Sequence, residues 1–114
     1  MKDYIEATKN ITAGMMELSR DIPEVLQGFG AMSKAAKTDG ALDMKTKELI
    51  ALALGVSARC DGCIGFHMEE VIKLGVTKEE ICETLGVAII MGGGPTLMYA
   101  AEAMEAYEQI SGKS

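Results

Sequence analysis

Apolar positions recur at helical spacing from one end of the chain to the other, and no stretch alternates with the period of two that a half-buried strand requires. Tyr4, Thr8, Ile11, Met15, Leu18 and Ile22 step by fours and threes. They draw one stripe down a first helix predicted from about Lys2 to Arg20, suited to lengthwise packing on another helix. Asp21-Ile22-Pro23 predicts a restart, because proline is tolerated in the first helical turn, where its missing N–H has no partner to lose. The second helix is expected to turn Val25, Phe29, Met32 and Ala36 inward and to end near Asp39-Gly40.

Asp43 is the expected N-cap of a third helix running to about Ala58. Its latter part, LIALALGV, is apolar on all faces, which predicts a central, buried helix. A fourth helix ends near Leu74-Gly75, with glycine as the left-handed terminator. Thr77-x-x-Glu80 is a capping box and opens a fifth helix with Ile81, Leu85 and Ala88 on one side. Gly92-Gly93-Gly94-Pro95 ends it, since glycines weaken a helix and proline disfavours helical geometry in the residue before it. Without the Lys and Ser/Thr of a phosphate loop, this stretch is read as an interhelical turn, with a place at the mouth of an active site as the alternative. A last helix is expected from Thr96 to about Gln109, with Leu97, Ala101 and Met104 inside and Glu102, Glu105 and Glu108 outside. The expected architecture is all-α, a bundle of about six helices in one domain spanning residues 1–114.

Composition narrows the function classes. A formal net charge of -6 opposes a role in tracking phosphates, so no nucleic-acid partner is expected. Hydrophobic residues make up 48% of the chain, yet the longest apolar run, Leu49 to Val56, falls far short of the ~20 residues a membrane span needs. The opening MKDYIEATKN is charged and has no apolar signal core, so no leader and no membrane partner are expected, and the expected compartment is the cytoplasm. Three cysteines form no framework of a secreted mini-protein. With nine Met and 4% aromatic residues, the core is filled by adaptable side chains rather than rings.

The segment ARCDGCIGFHMEE, residues 58–70, holds two of the three cysteines and the only histidine. Steps of three and four put Cys60, Cys63 and His67 on one stripe of the fourth helix. A thiol reacts as its thiolate, which the unpaired N–H groups at a helix start stabilise, and both cysteines fall at or just before the first turn. His67 can accept a proton from Cys63 near neutral pH or return one to a leaving group. Glu48 begins the most apolar helix, on the stripe with Ala51, Leu52 and Gly55. If the third and fourth helices form an antiparallel hairpin around Arg59, Glu48 points toward the thiols. Desolvation there would raise its pKa and equip it to pass protons between solvent, His67 and a sulfur. The order of attack stays open: nearness to His67 favours Cys63 as the attacking thiol, and the helix-start argument favours Cys60.

Glu48, Cys60-x-x-Cys63 and His67 at these spacings resemble the E-x(11)-C-x-x-C-x-x-x-H pattern of the alkylhydroperoxidase D branch of the carboxymuconolactone decarboxylase family, and KTKELIALALGVSARCDGCIGFHMEEVIKLGVTKEEICETLGVAI, residues 45–89, is similar to that family's core segment. The resemblance implies an all-helical homotrimer or homohexamer whose dithiol reduces a small hydroperoxide or exchanges with a disulfide, reset by a dithiol reductant or redox partner protein. It also implies that Glu48 and His67 serve the cysteines as a proton relay, with no cofactor. Some family members carry a further His between the cysteines, where this chain has Asp61 and Gly62. True lactone decarboxylases of the family lack the paired cysteines, which points away from that reaction here.

Two other readings are weighed beside this one. Cys60, Cys63 and His67 supply three metal ligands, with Glu48 or Cys82 as a fourth, although a structural zinc site usually draws a second pair from a separate loop. Alternatively, the dithiol is a sensor without turnover in an assembly protein, for which the long stripe of the first helix provides a surface. Cys82 itself is expected to be an ordinary core residue of the fifth helix.

Overall fold

The computed structural model describes residues 2–112, which form six helices: α1 Tyr4–Asp21, α2 Pro23–Lys37, α3 Met44–Ser57, α4 Asp61–Lys73, α5 Lys78–Gly92 and α6 Gly94–Ser111. The all-α bundle expected from the spacing is what the chain builds. The helix ends follow local chemistry. Asp3 and Asp43 accept the N–H groups of Glu6 and Thr46. Thr77 and Glu80 form the reciprocal capping box. Gly75, at φ 78, closes α4, the Val76 N–H reaching back to the Val71 carbonyl.

Helix α4 is the hub, packed against α1, α3 and α6. Ile64, Met68 and Val71 of α4 are fully buried together with Leu52 and Val56 of α3, Ile81 of α5, and Ala103 and Ala106 of α6. The α1 stripe finds its partner here for its first half. Gly62 and Gly65, one turn apart on α4, leave room for it. A Cβ on Gly65 would come 2.5 Å from Thr8 Cγ2, and one on Gly62 would come 2.8 Å from Ile11 Cδ1. Farther along, Met15, Leu18 and Ile22 are exposed. The N-terminus is fastened to the far end of α6, the Tyr4 N–H donating to Gln109 Oε1 at 2.8 Å and Gln109 Nε2 to the Lys2 carbonyl at 2.6 Å.

Five sequence expectations are corrected. Helix α2 buries none of its residues, and Val25, Phe29 and Met32 are each more than 60% exposed. Their spacing describes an apolar face that no other helix of the same chain covers. Helix α3 is not buried all round, since Ile50 and Leu54 face outward. In α6 the inner face is Thr96, Ala100, Ala103, Ala106 and Tyr107, while Leu97 and Ala101 lie exposed. That helix also starts at Gly94, two residues early, because Gly93 at φ 73 makes the whole turn. Cys82 is exposed rather than in the core. The radius of gyration, 14.4 Å, exceeds the ~13 Å of a compact chain of this length, as an α2 standing off the bundle would give. Among the described residues no helix is long and apolar enough to cross a membrane.

Candidate functional site

Helices α3 and α4 form an antiparallel hairpin closed by Ala58, Arg59 and Cys60. Arg59 sits at φ 56, the left-handed geometry that glycine adopts freely and other residues at a cost of about 1–2 kcal/mol. Its N–H bonds the Val56 carbonyl and the Cys60 N–H bonds the Gly55 carbonyl, which ends α3 and delivers Cys60 directly to the N-cap of α4. The Cys63 N–H donates to Cys60 Sγ at 3.1 Å. Cys60 and Cys63 are joined as a disulfide, with Cα atoms 5.2 Å apart. Gly55 makes this possible from the α3 side: a Cβ there would lie 2.9 Å from Cys63 Cβ.

Two turns back along α3, Glu48 is 2% exposed and held at both oxygens. His67 Nδ1 meets Oε2 at 2.8 Å and Lys37 Nζ meets Oε1 at 3.1 Å. A carboxylate buried this deeply costs several kcal/mol unless paired, and here each oxygen has a partner. Where Glu48 is ionised it can only accept, so Nδ1 is then the donor and Nε2 the acceptor of a neutral ring. His67 and Lys37 remain 26% and 35% exposed, so both partners of the buried carboxylate reach solvent. His67 lies one turn beyond Cys63 on α4, which places the two side chains on one face.

All four residues singled out in the sequence therefore fall on one hairpin, Cys60 bonded to Cys63 and Glu48 paired with His67. Lys37 was not foreseen. At the end of α2 a lysine reads as an ordinary complement to the helix dipole, and no spacing rule links it to Glu48. Asp61, between the cysteines, holds Lys2 at 3.0 Å, and Lys2 also pairs with Glu102 at 2.8 Å. Hydrogen bonds to Glu102 and then Asp61 raise the Lys2 ammonium well above its usual range. Gly62 has Ile11 over it, so a larger side chain there would run into α1. Among the described residues no three His, Cys, Asp or Glu side chains cluster as a metal-ligand set, and Cys82, on the exposed side of α5, does not join the other two thiols.

Residues 23–106 match the sequence profile of the carboxymuconolactone decarboxylase family. A protein of Haemophilus influenzae is 39% identical over 105 residues, covering 92% of this chain and 93% of its own. Protein 4 of the cox locus of Paracoccus denitrificans is 36% identical over 101 residues, 89% of this chain and 91% of its own. Among solved structures, a carboxymuconolactone decarboxylase family protein from Legionella pneumophila superposes with a TM-score of 0.93 at 54% identity, covering 95% of this chain and 96% of that one. A family protein from Thermotoga maritima, described as having a possible involvement in antioxidative response, gives a TM-score of 0.71 at 32% identity over 75% of this chain and 89% of that one.

Proposed function

Because this chain belongs to the carboxymuconolactone decarboxylase family, we propose that it is a thiol-dependent peroxidase or disulfide oxidoreductase of the alkylhydroperoxidase D type, its Cys60/Cys63 pair cycling between dithiol and disulfide. The observation that carries this reading is a disulfide at the start of α4 on the same hairpin as a buried Glu48–His67 pair. The antioxidative description of the Thermotoga maritima protein is consistent with it.

In the peroxide reaction the Cys63 thiol gives its proton to His67 Nε2, and the thiolate attacks the O–O bond. One oxygen is added to sulfur as a sulfenic acid, and the other leaves as an alcohol after taking the proton back from His67. Cys60 then attacks the sulfenic sulfur, releasing water and forming the disulfide. A dithiol reductant supplies the two electrons that restore the pair. Cys60 suits the resolving role and that of leaving thiolate during reduction, because the Cys63 N–H already donates to its sulfur. Glu48 holds the Nδ1 hydrogen and balances the imidazolium when it forms.

The working form is a homotrimer or homohexamer. Val25, Phe29 and Met32 on α2 and Val87, Ile90 and Met91 on α5 are all exposed, and apolar faces left open in this way favour assembly. Light scattering on the eluted protein measures the copy number, and a monomer would refute assembly.

The test of activity is consumption of cumene hydroperoxide by the reduced protein with dithiothreitol as reductant. Turnover is expected, and it should be lost in both Cys60→Ser and Cys63→Ser. A wild-type protein that consumes neither hydroperoxide nor a small disulfide would overturn the reading.

A further inference from the structure

We propose that Lys37 is a positioning residue for this site: by holding Oε1 of Glu48 it keeps the buried carboxylate ionised while His67 is neutral, and so sets the pH at which the imidazole is free to accept a proton. The inference rests on the reading of Glu48 and His67 as the proton carrier.

The argument is one of charge balance in a buried place. Glu48 is 2% exposed, and its contacts are Lys37 from α2 and His67 from α4. His67 must be neutral to take a proton from a thiol, and in that state it cannot balance the carboxylate. Only Lys37 can. An unpaired carboxylate at this depth would take up a proton instead, and a protonated Glu48 could no longer stabilise the imidazolium. The neighbouring cation on the same helix, Lys47, is directed elsewhere, donating to the Thr38 carbonyl at 2.6 Å. That bond, with the Met44 N–H to Asp39 at 2.6 Å, fastens the loop between α2 and α3 independently of Lys37. The loop should therefore hold its course when Lys37 is changed. Helix α2 buries no residue of its own, so burial of its own side chains cannot explain a lysine aimed at the most deeply buried carboxylate of the site.

His67 is the only histidine, so its imidazole resonances can be followed by NMR without assignment by mutation. Lys37→Met and Lys37→Gln remove the charge, the glutamine keeping a donor, and Lys37→Arg retains it. In both neutral variants Glu48 is protonated and no longer balances the imidazolium, so the His67 titration midpoint should move down by about one pH unit relative to wild type. The acid limb of hydroperoxide turnover should move with it, and Lys37→Arg should restore both. Neutral variants that are folded by circular dichroism yet titrate as wild type would overturn the proposal. Absence of turnover in the wild type would instead refute the proposed activity and leave the imidazole titration to judge Lys37.

Discussion

Glu48 and His67 stand 19 positions apart in sequence and meet at 2.8 Å across the α3–α4 hairpin. Their contact also has a consequence for stability. Glu48→Gln keeps an acceptor for the His67 Nδ1 hydrogen, whereas Glu48→Ala leaves a void and two groups without a partner. The alanine variant is expected to lose about 2–3 kcal/mol in urea denaturation and the glutamine variant roughly 1 kcal/mol. Equal losses would mean that the polar contact contributes nothing beyond volume.

Glycines at two helical sites should respond in opposite directions. Gly65→Ala drives a methyl into Thr8 Cγ2 at the α1–α4 contact, and overpacking of this kind costs about 1–3 kcal/mol. Gly86, inside α5, has nothing within 4 Å of a Cβ, so alanine there should stabilise by about 1 kcal/mol through helix propensity. Thermal unfolding of the two variants checks both signs.

Tyr4 is 1% exposed, and its hydroxyl has no hydrogen-bond partner among the described residues. Burial pushes its phenol up to about 12, above the ordinary value near 10. Between those limits the unfolded chain gives up a proton that the folded one retains, so stability falls as pH rises through the interval. Tyr4→Phe should be at least as stable as wild type at neutral pH, since an unpartnered hydroxyl is removed, and should show a shallower alkaline decline. A destabilised variant with an unchanged decline would contradict this.

On the acid side the capping carboxylates matter. The Thr77 backbone N–H donating to Glu80, and the Thr46 side chain and then backbone donating to Asp43, hold both acids below the usual carboxylate range. Their contribution is present above the ordinary carboxylate pKa and is lost as pH falls through the lowered folded values. Glu80→Gln, which keeps an acceptor but does not titrate, should flatten part of the acid limb of the stability curve.

Much of this architecture was legible because caps and terminators act locally. Asp43, Thr77-x-x-Glu80 and Gly75 mark helix ends within a few residues, and the Tyr4–Thr8–Ile11 stripe met the glycines of α4. The convergence of the four candidate residues was legible for the same reason, since Cys60 caps the helix that carries Cys63 and His67 and a three-residue turn folds Glu48 back onto it. Other features depend on what lies across from a helix. Val25, Phe29 and Met32 have the spacing of a core face, but spacing does not say whether the cover comes from the same chain. In α6, small Ala100, Ala103 and Ala106 pack inward because they allow close approach to α4, while the more hydrophobic Leu97 faces out. Lys37 reaches Glu48 from a helix that buries nothing, so no periodicity could reveal it.

The most direct test of the proposal that Glu48 and His67 carry protons is the pH–rate profile of hydroperoxide reduction by wild-type and Glu48→Gln protein, each fully reduced at the start. If Glu48 and His67 act together, the glutamine variant should turn over about tenfold to a hundredfold more slowly, with a displaced acid limb and an intact fold. Two superimposable profiles would contradict the account, for the buried carboxylate would then be structural.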